Sequence, residues 1–124
     1  MKVLIVANGK VQNKSFYKTL KKNIDAVIAA DGGADKCIRL GIKPDYVIGD
    51  FDSISKKARK KFRNILIHEA SQDNTDLEKA IALAKKLKCT KLTVIGGIGT
   101  RIDHTLANII SLLKKTVHFG FAQP

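Results

Sequence analysis

A three-layer α/β fold, a mostly parallel sheet with helices on both faces, is what the sequence predicts from three observations. Short apolar runs recur along the 124 residues. Segments of helical spacing lie between them. The runs are apolar throughout rather than alternating with polar residues, which is how strands covered on both faces read. Together these predict a doubly wound, Rossmann-like arrangement of one compact domain, residues 1–124.

The first strand is read at Val3–Ala7 and leads into Asn8–Gly9. A short helix is expected near Ser15–Lys22. Ala26–Ala30 is the second strand, running into "ADGGAD" and a helix at Ala34–Leu40. Tyr46–Ile48 is the third, running into "GDFDS" and a helix at Ser55–Phe62. Ile65–Ile67 is the fourth, and "SQDNTD" follows it. The clearest helix is Asp76–Lys88, with Leu77, Ala80, Ile81, Ala84 and Leu87 on one stripe. Thr75 and Glu78 have the spacing of a capping box at its start. Leu92–Ile95 is the fifth strand, followed by "GGIGTRIDH" and a helix over Asp103–Lys115. Val117–Phe119 reads as one more strand.

Charge separates two kinds of residue. Lysine and arginine number 23 against 11 acids, a net charge of +12. Such an excess attracts phosphate in any form. The lysines are nonetheless spread over several segments ("KKN", "KKARKKF", "KKLK", "LLKK"), which read as solvated helix faces and C-terminal turns. The few aromatics do not cluster, so no nucleic-acid platform is expected. No apolar run approaches the ~18 residues of a membrane span. Cys37 and Cys89 are far apart and lack metal-ligand spacing, so two reduced thiols of a cytoplasmic protein are expected.

The acids are placed more tellingly. Nine of them are Asp and only Glu69 and Glu78 are Glu. Asp belongs at turns, caps and metal sites rather than on helix surfaces. Asp31, Asp50, Asp52, Asp73, Asp76 and Asp103 all follow apolar runs, so the fold would deliver them to the carboxyl edge of the sheet, where open α/β sheets bind ligands. Carboxylates gathered there repel unless a cation sits among them, and an all-oxygen set suits Mg²⁺. "GGIGTRIDH" adds backbone amides near a helix start and the forked donor Arg101, both suited to phosphate. Each motif alone also fits a plain structural role. Asp50 and Asp73 fit turns, Asp52 or Ser53 and Asp103 fit helix caps, and Asp76 fits a first helical turn.

In order and spacing, "ADGGAD", "PDYVIGDFDS", "QDNTDLEKAI" and "TRIDHTLANI" resemble the catalytic domain of the thiamine pyrophosphokinase (thiamine diphosphokinase) family, over essentially the whole chain. The resemblance implies Mg²⁺-dependent transfer of diphosphate from ATP to thiamine, giving thiamine diphosphate and AMP, by a homodimer. It makes Asp50, Asp52 and Asp76 the metal-binding carboxylates. It sets Asp31 and Asp73 near the metal and the pyrophosphate. It puts Arg101 and Asp103, with His104, Thr105 and Asn108, on the segment that contacts ATP. Either Asp73 or Asp103 would accept the hydroxyl proton. The family also has a second, all-β domain that helps form the thiamine pocket, and the chain is expected to lack it. Two other readings fit the same residues: a diphosphokinase for another small alcohol, such as a hydroxymethylpterin, and a non-catalytic nucleotide-binding module.

Overall fold

The computed structural model describes residues 1–9, 17–18, 22–71, 73–96 and 118–121. The elements among them are β1 (Lys2–Val6), β2 (Ala26–Ala30), α1 (Gly33–Leu40), β3 (Tyr46–Gly49), α2 (Lys56–Lys61), β4 (Leu66–His68), α3 (Asp76–Lys86), β5 (Lys91–Ile95) and β6 (His118–Phe121). The helix expected at Asp103–Lys115, and most of the one expected near Ser15–Lys22, lie outside the described residues.

Every strand pairing is parallel, and the sheet runs β4-β3-β2-β1-β5-β6. The chain therefore steps outward from β1 to β4, then crosses back to β5 on the other side of β1. Right-handed crossovers in opposite directions need their helices on opposite faces, and the two apolar clusters show this. Val3, Ile5, Ile28, Ile48, Leu92 and Val94 face Leu77, Ala80, Ile81 and Ala84 of α3. Leu4, Val6, Val27, Ala29, Val47 and Ile95 face Ala34, Cys37 and Leu40 of α1 and Ala58 of α2. Alternate residues of one strand serve different faces, so both must be apolar. Within β1 only Lys2 is exposed.

The helix boundaries have local causes. The Ser55 hydroxyl caps α2 by accepting the Ala58 N–H at 3.0 Å. The capping box of α3 forms in both directions, with Glu78 N–H on Thr75 Oγ1 at 3.1 Å and Thr75 N–H on Glu78 Oε1 at 3.3 Å. α3 stops at Lys86, short of the expected Lys88. Lys88 takes a left-handed φ of 59°, and Cys89 N–H turns back to the Ala84 carbonyl at 3.2 Å. Gly33 lets α1 begin hard against the end of β1, since a Cβ there would lie 2.0 Å from the Val6 carbonyl oxygen. Cys37 and Cys89 are both free and buried, and burial pushes the Cys37 thiol up to about 12.

Candidate metal and nucleotide site

Parallel neighbours end side by side, so β2 and β3 release their next residues at the same edge. Asp31 follows β2 directly and Asp50 follows β3. α3 packs back across β2 and β3, which brings its first residue, Asp76, to that edge. Asp31, Asp50 and Asp76 each offer an oxygen within 4.8 Å of the others.

Backbone geometry makes this convergence possible. Gly49 has φ 150°, and a Cβ on it would come within 3.1 Å of both Asp31 Cβ and Asp76 Oδ1. A side chain at position 49 would push two of the three carboxylates apart. Asp31 and Phe51 take left-handed φ values of 45° and 66°. That region is tolerated by Asp but costs a bulky residue such as Phe of order 1 kcal/mol or more, and such conformations cluster at ligand sites. Phe51 turns inward through this bend of the backbone. It is buried, stacks on the His68 ring at 5.5 Å and lies beneath the Arg59 guanidinium at 5.6 Å.

The electrostatics follow from the crowding. Asp31 is 1% exposed, its Oδ1 accepts the Ser53 N–H at 3.2 Å, and its Oδ2 has no hydrogen-bond partner among the described residues. Burial first, then the neighbouring Asp50 carboxyl and the charge of Asp76, push Asp31 up to about 7. Asp50 is held below the ordinary carboxylate range, chiefly by the Asp52 N–H on its Oδ1 at 3.1 Å. Asp52 is exposed and raised by the Asp50 carboxyl beside it. This loop is held from below by Asp35, which accepts the Ser55 N–H at 2.9 Å and the Ser55 hydroxyl.

Of the residues expected at the site, Asp31, Asp50 and Asp76 come together and Asp52 adjoins Asp50. Asp73 is exposed in the turn before α3, with its N–H on Ser71 Oγ at 3.3 Å, outside the converging group. Ser55, not Asp52 or Ser53, caps α2. Arg101, Asp103, His104, Thr105 and Asn108 lie outside the described residues. Sequence reasoning passed over Lys79. It is buried in α3, with its Nζ donating to the Glu69 carbonyl at 2.8 Å and lying 3.7 Å from Asp76 Oδ1. Asn8, of the "NG" after β1, places its side chain against Gly32. No signal in the sequence marked Lys79.

Comparison with known proteins gives the same answer from sequence and from shape. Thiamine pyrophosphokinase of Bacillus subtilis is 33% identical over 91 residues, which cover 70% of this chain and 42% of that protein. Thiamin pyrophosphokinase 1 of Caenorhabditis elegans is 30% identical over 96 residues, covering 70% and 39%. The chain thus spans less than half the length of these two curated relatives. The crystal structure of the Bacillus subtilis thiamine pyrophosphokinase matches with a TM-score of 0.71 at 26% identity, covering 96% of this chain and 60% of that one. Thiamin pyrophosphokinase from Candida albicans matches with a TM-score of 0.77 at 20% identity, covering 97% and 57%, a likeness of fold. The family model described as "Thiamin pyrophosphokinase, catalytic domain" matches residues 17–120, most of the chain, and the chain belongs to that family.

Proposed function

We propose that this chain carries the metal- and nucleotide-binding part of a thiamine diphosphokinase, which transfers diphosphate from ATP to the hydroxyethyl oxygen of thiamine. The observation that carries the reading is the meeting of Asp31, Asp50 and Asp76 within 4.8 Å at the carboxyl edge of a parallel sheet. The residues fit a hard cation. Among the described residues the donors are all carboxylate oxygens, and one of them, Asp31 Oδ2, is buried without a partner there. Asp31, Asp50 and Asp76 would hold Mg²⁺, with Asp52 the further carboxylate alongside. When bound, the ion supplies charge neutralisation for phosphate oxygens.

The transfer forms a bond from the alcohol oxygen to the β-phosphorus and breaks the bond from that phosphorus to the AMP oxygen. AMP leaves with the electron pair, and the hydroxyl proton passes to a base. Asp73, exposed in the turn before α3, and Asp103 are the two candidates for that base. Arg101 and Asp103, with His104, Thr105 and Asn108, would bind ATP on the strength of the family resemblance. The resemblance also supports a homodimer. The two free thiols fit a reducing, cytoplasmic setting.

The test is AMP release from Mg²⁺–ATP with thiamine as acceptor, with a hydroxymethylpterin in parallel. AMP formed only with thiamine supports the reading. AMP formed with the pterin alone moves the acceptor class. Mg²⁺–ATP binding without AMP under either condition reduces the chain to a nucleotide-binding module.

A further inference from the structure

Lys79 is the one buried lysine among the described residues. It is 4% exposed, whereas Lys85 and Lys86 further along α3 are exposed. Lysine is almost never this buried unless its charge is met. The charge is met at the acid cluster, by Asp76 Oδ1 at 3.7 Å. The Glu69 carbonyl fixes the ammonium at 2.8 Å, and the Glu69 N–H is itself bonded to the Gly49 carbonyl at 2.8 Å. Gly49 in turn lies against Asp76 and Asp31. Hydrogen bonds therefore link Gly49 to Glu69 and Glu69 to Lys79, whose ammonium pairs with Asp76, a frame beside the carboxylates. Such a frame holds a cation in a set place beside groups that would otherwise repel each other.

We propose that Lys79 is a built-in counter-cation. It keeps Asp31, Asp50 and Asp76 assembled when no divalent ion is bound, and it opposes the ion electrostatically when one is. It acts as a positioning residue, through the carboxylates beside it. The statement about the ion rests on the metal reading given above. The statement about the ion-free protein does not.

The experiment has two arms. In the first, Lys79→Met, which keeps chain length and removes the charge, is melted in excess chelator, alone and combined with Asp76→Asn. The proposal expects Lys79→Met to lower the melting temperature and the added Asp76→Asn to recover part of the loss, because it relieves repulsion. If Lys79→Met does not fold alone, the double variant should fold. A double variant no more stable than Lys79→Met, or one that fails to fold while Asp76→Asn alone folds, overturns the proposal and makes Lys79 a plain anchor of the Glu69 carbonyl. In the second arm, Mn²⁺ is titrated into wild type, Lys79→Met and Lys79→Arg. Removing one positive charge at this distance should tighten Mn²⁺ by about three- to tenfold, with Lys79→Arg close to wild type. Unchanged or weaker affinity in Lys79→Met overturns the ion-opposing role. If wild type takes up no Mn²⁺, the metal reading itself fails, and the first arm alone decides on Lys79.

Discussion

The Ser53 backbone N–H donates to Asp31 Oδ1 at 3.2 Å across 22 residues of sequence, while the Oδ2 of that buried carboxyl has no hydrogen-bond partner among the described residues. The Ser53 donor does not offset burial and two neighbouring carboxylates, so Asp31 is pushed up to about 7. The folded protein then holds this proton more tightly than the unfolded chain does. Stability is unaffected by Asp31 below its ordinary value near 3.8, falls as pH rises from there to about 7, and carries the full cost above. In the absence of divalent ions, Asp31→Asn should therefore be more stable than wild type at pH 8, by about 1–3 kcal/mol after discounting for solvent and Lys79. At pH 4 the two should differ little. Urea unfolding at the two pH values measures this, and equal stability at pH 8 would contradict it.

Gly49→Ala tests the close approach at the centre of the site. The added methyl meets Asp31 Cβ and Asp76 Oδ1 at 3.1 Å on a backbone with φ 150°. We expect a loss of about 1–3 kcal/mol in stability and a smaller rise in melting temperature on adding Mg²⁺ than wild type shows. Thermal melts with and without Mg²⁺ give both quantities.

Asp35 and Ser55 act as one unit. Ser55 caps α2 and is itself held by both oxygens of Asp35. Ser55→Ala should cost about 1–2 kcal/mol. Asp35→Ala should remove part of the same term, so the double variant should cost less than the two single losses added together. Denaturant midpoints of the four proteins form the cycle, and strict additivity would show that the two residues act independently.

Arg101→Ala should weaken ATP binding by about 1.5–3 kcal/mol, the range for a hydrogen bond to a charged group. Titration calorimetry with Mg²⁺ present reads it. Unchanged affinity would remove Arg101 from the site.

Much of this molecule is legible in its residues because the strands announce themselves. Val3–Ala7, Ala26–Ala30 and Leu92–Ile95 are too apolar to face water on either side, and the structure puts them at β1, β2 and β5 with helices above and below. Thr75 and Glu78 specify the start of α3 through chemistry local to four residues. Legibility ends where contacts are long-range. The neighbourhood of Asp50 depends on Gly49 and Phe51 turning the backbone, so Asp31, 19 residues earlier, comes within reach by the pairing of β2 with β3. Lys79 sits among residues whose spacing marks them for burial, yet its own type marks it for solvent. Only the Glu69 carbonyl and Asp76, both brought by the fold, explain why it goes inside.

The central claim is that Asp50 and Asp76 bind an ion rather than serve as a turn and a helix start. Its most direct test is the melting temperature of wild type, Asp50→Asn and Asp76→Asn, each with and without Mg²⁺–ATP. The account predicts that wild type gains melting temperature from the pair by mass action. It predicts that neither variant gains appreciably. Variants that are destabilised without Mg²⁺ yet gain as much from Mg²⁺–ATP as wild type would contradict it.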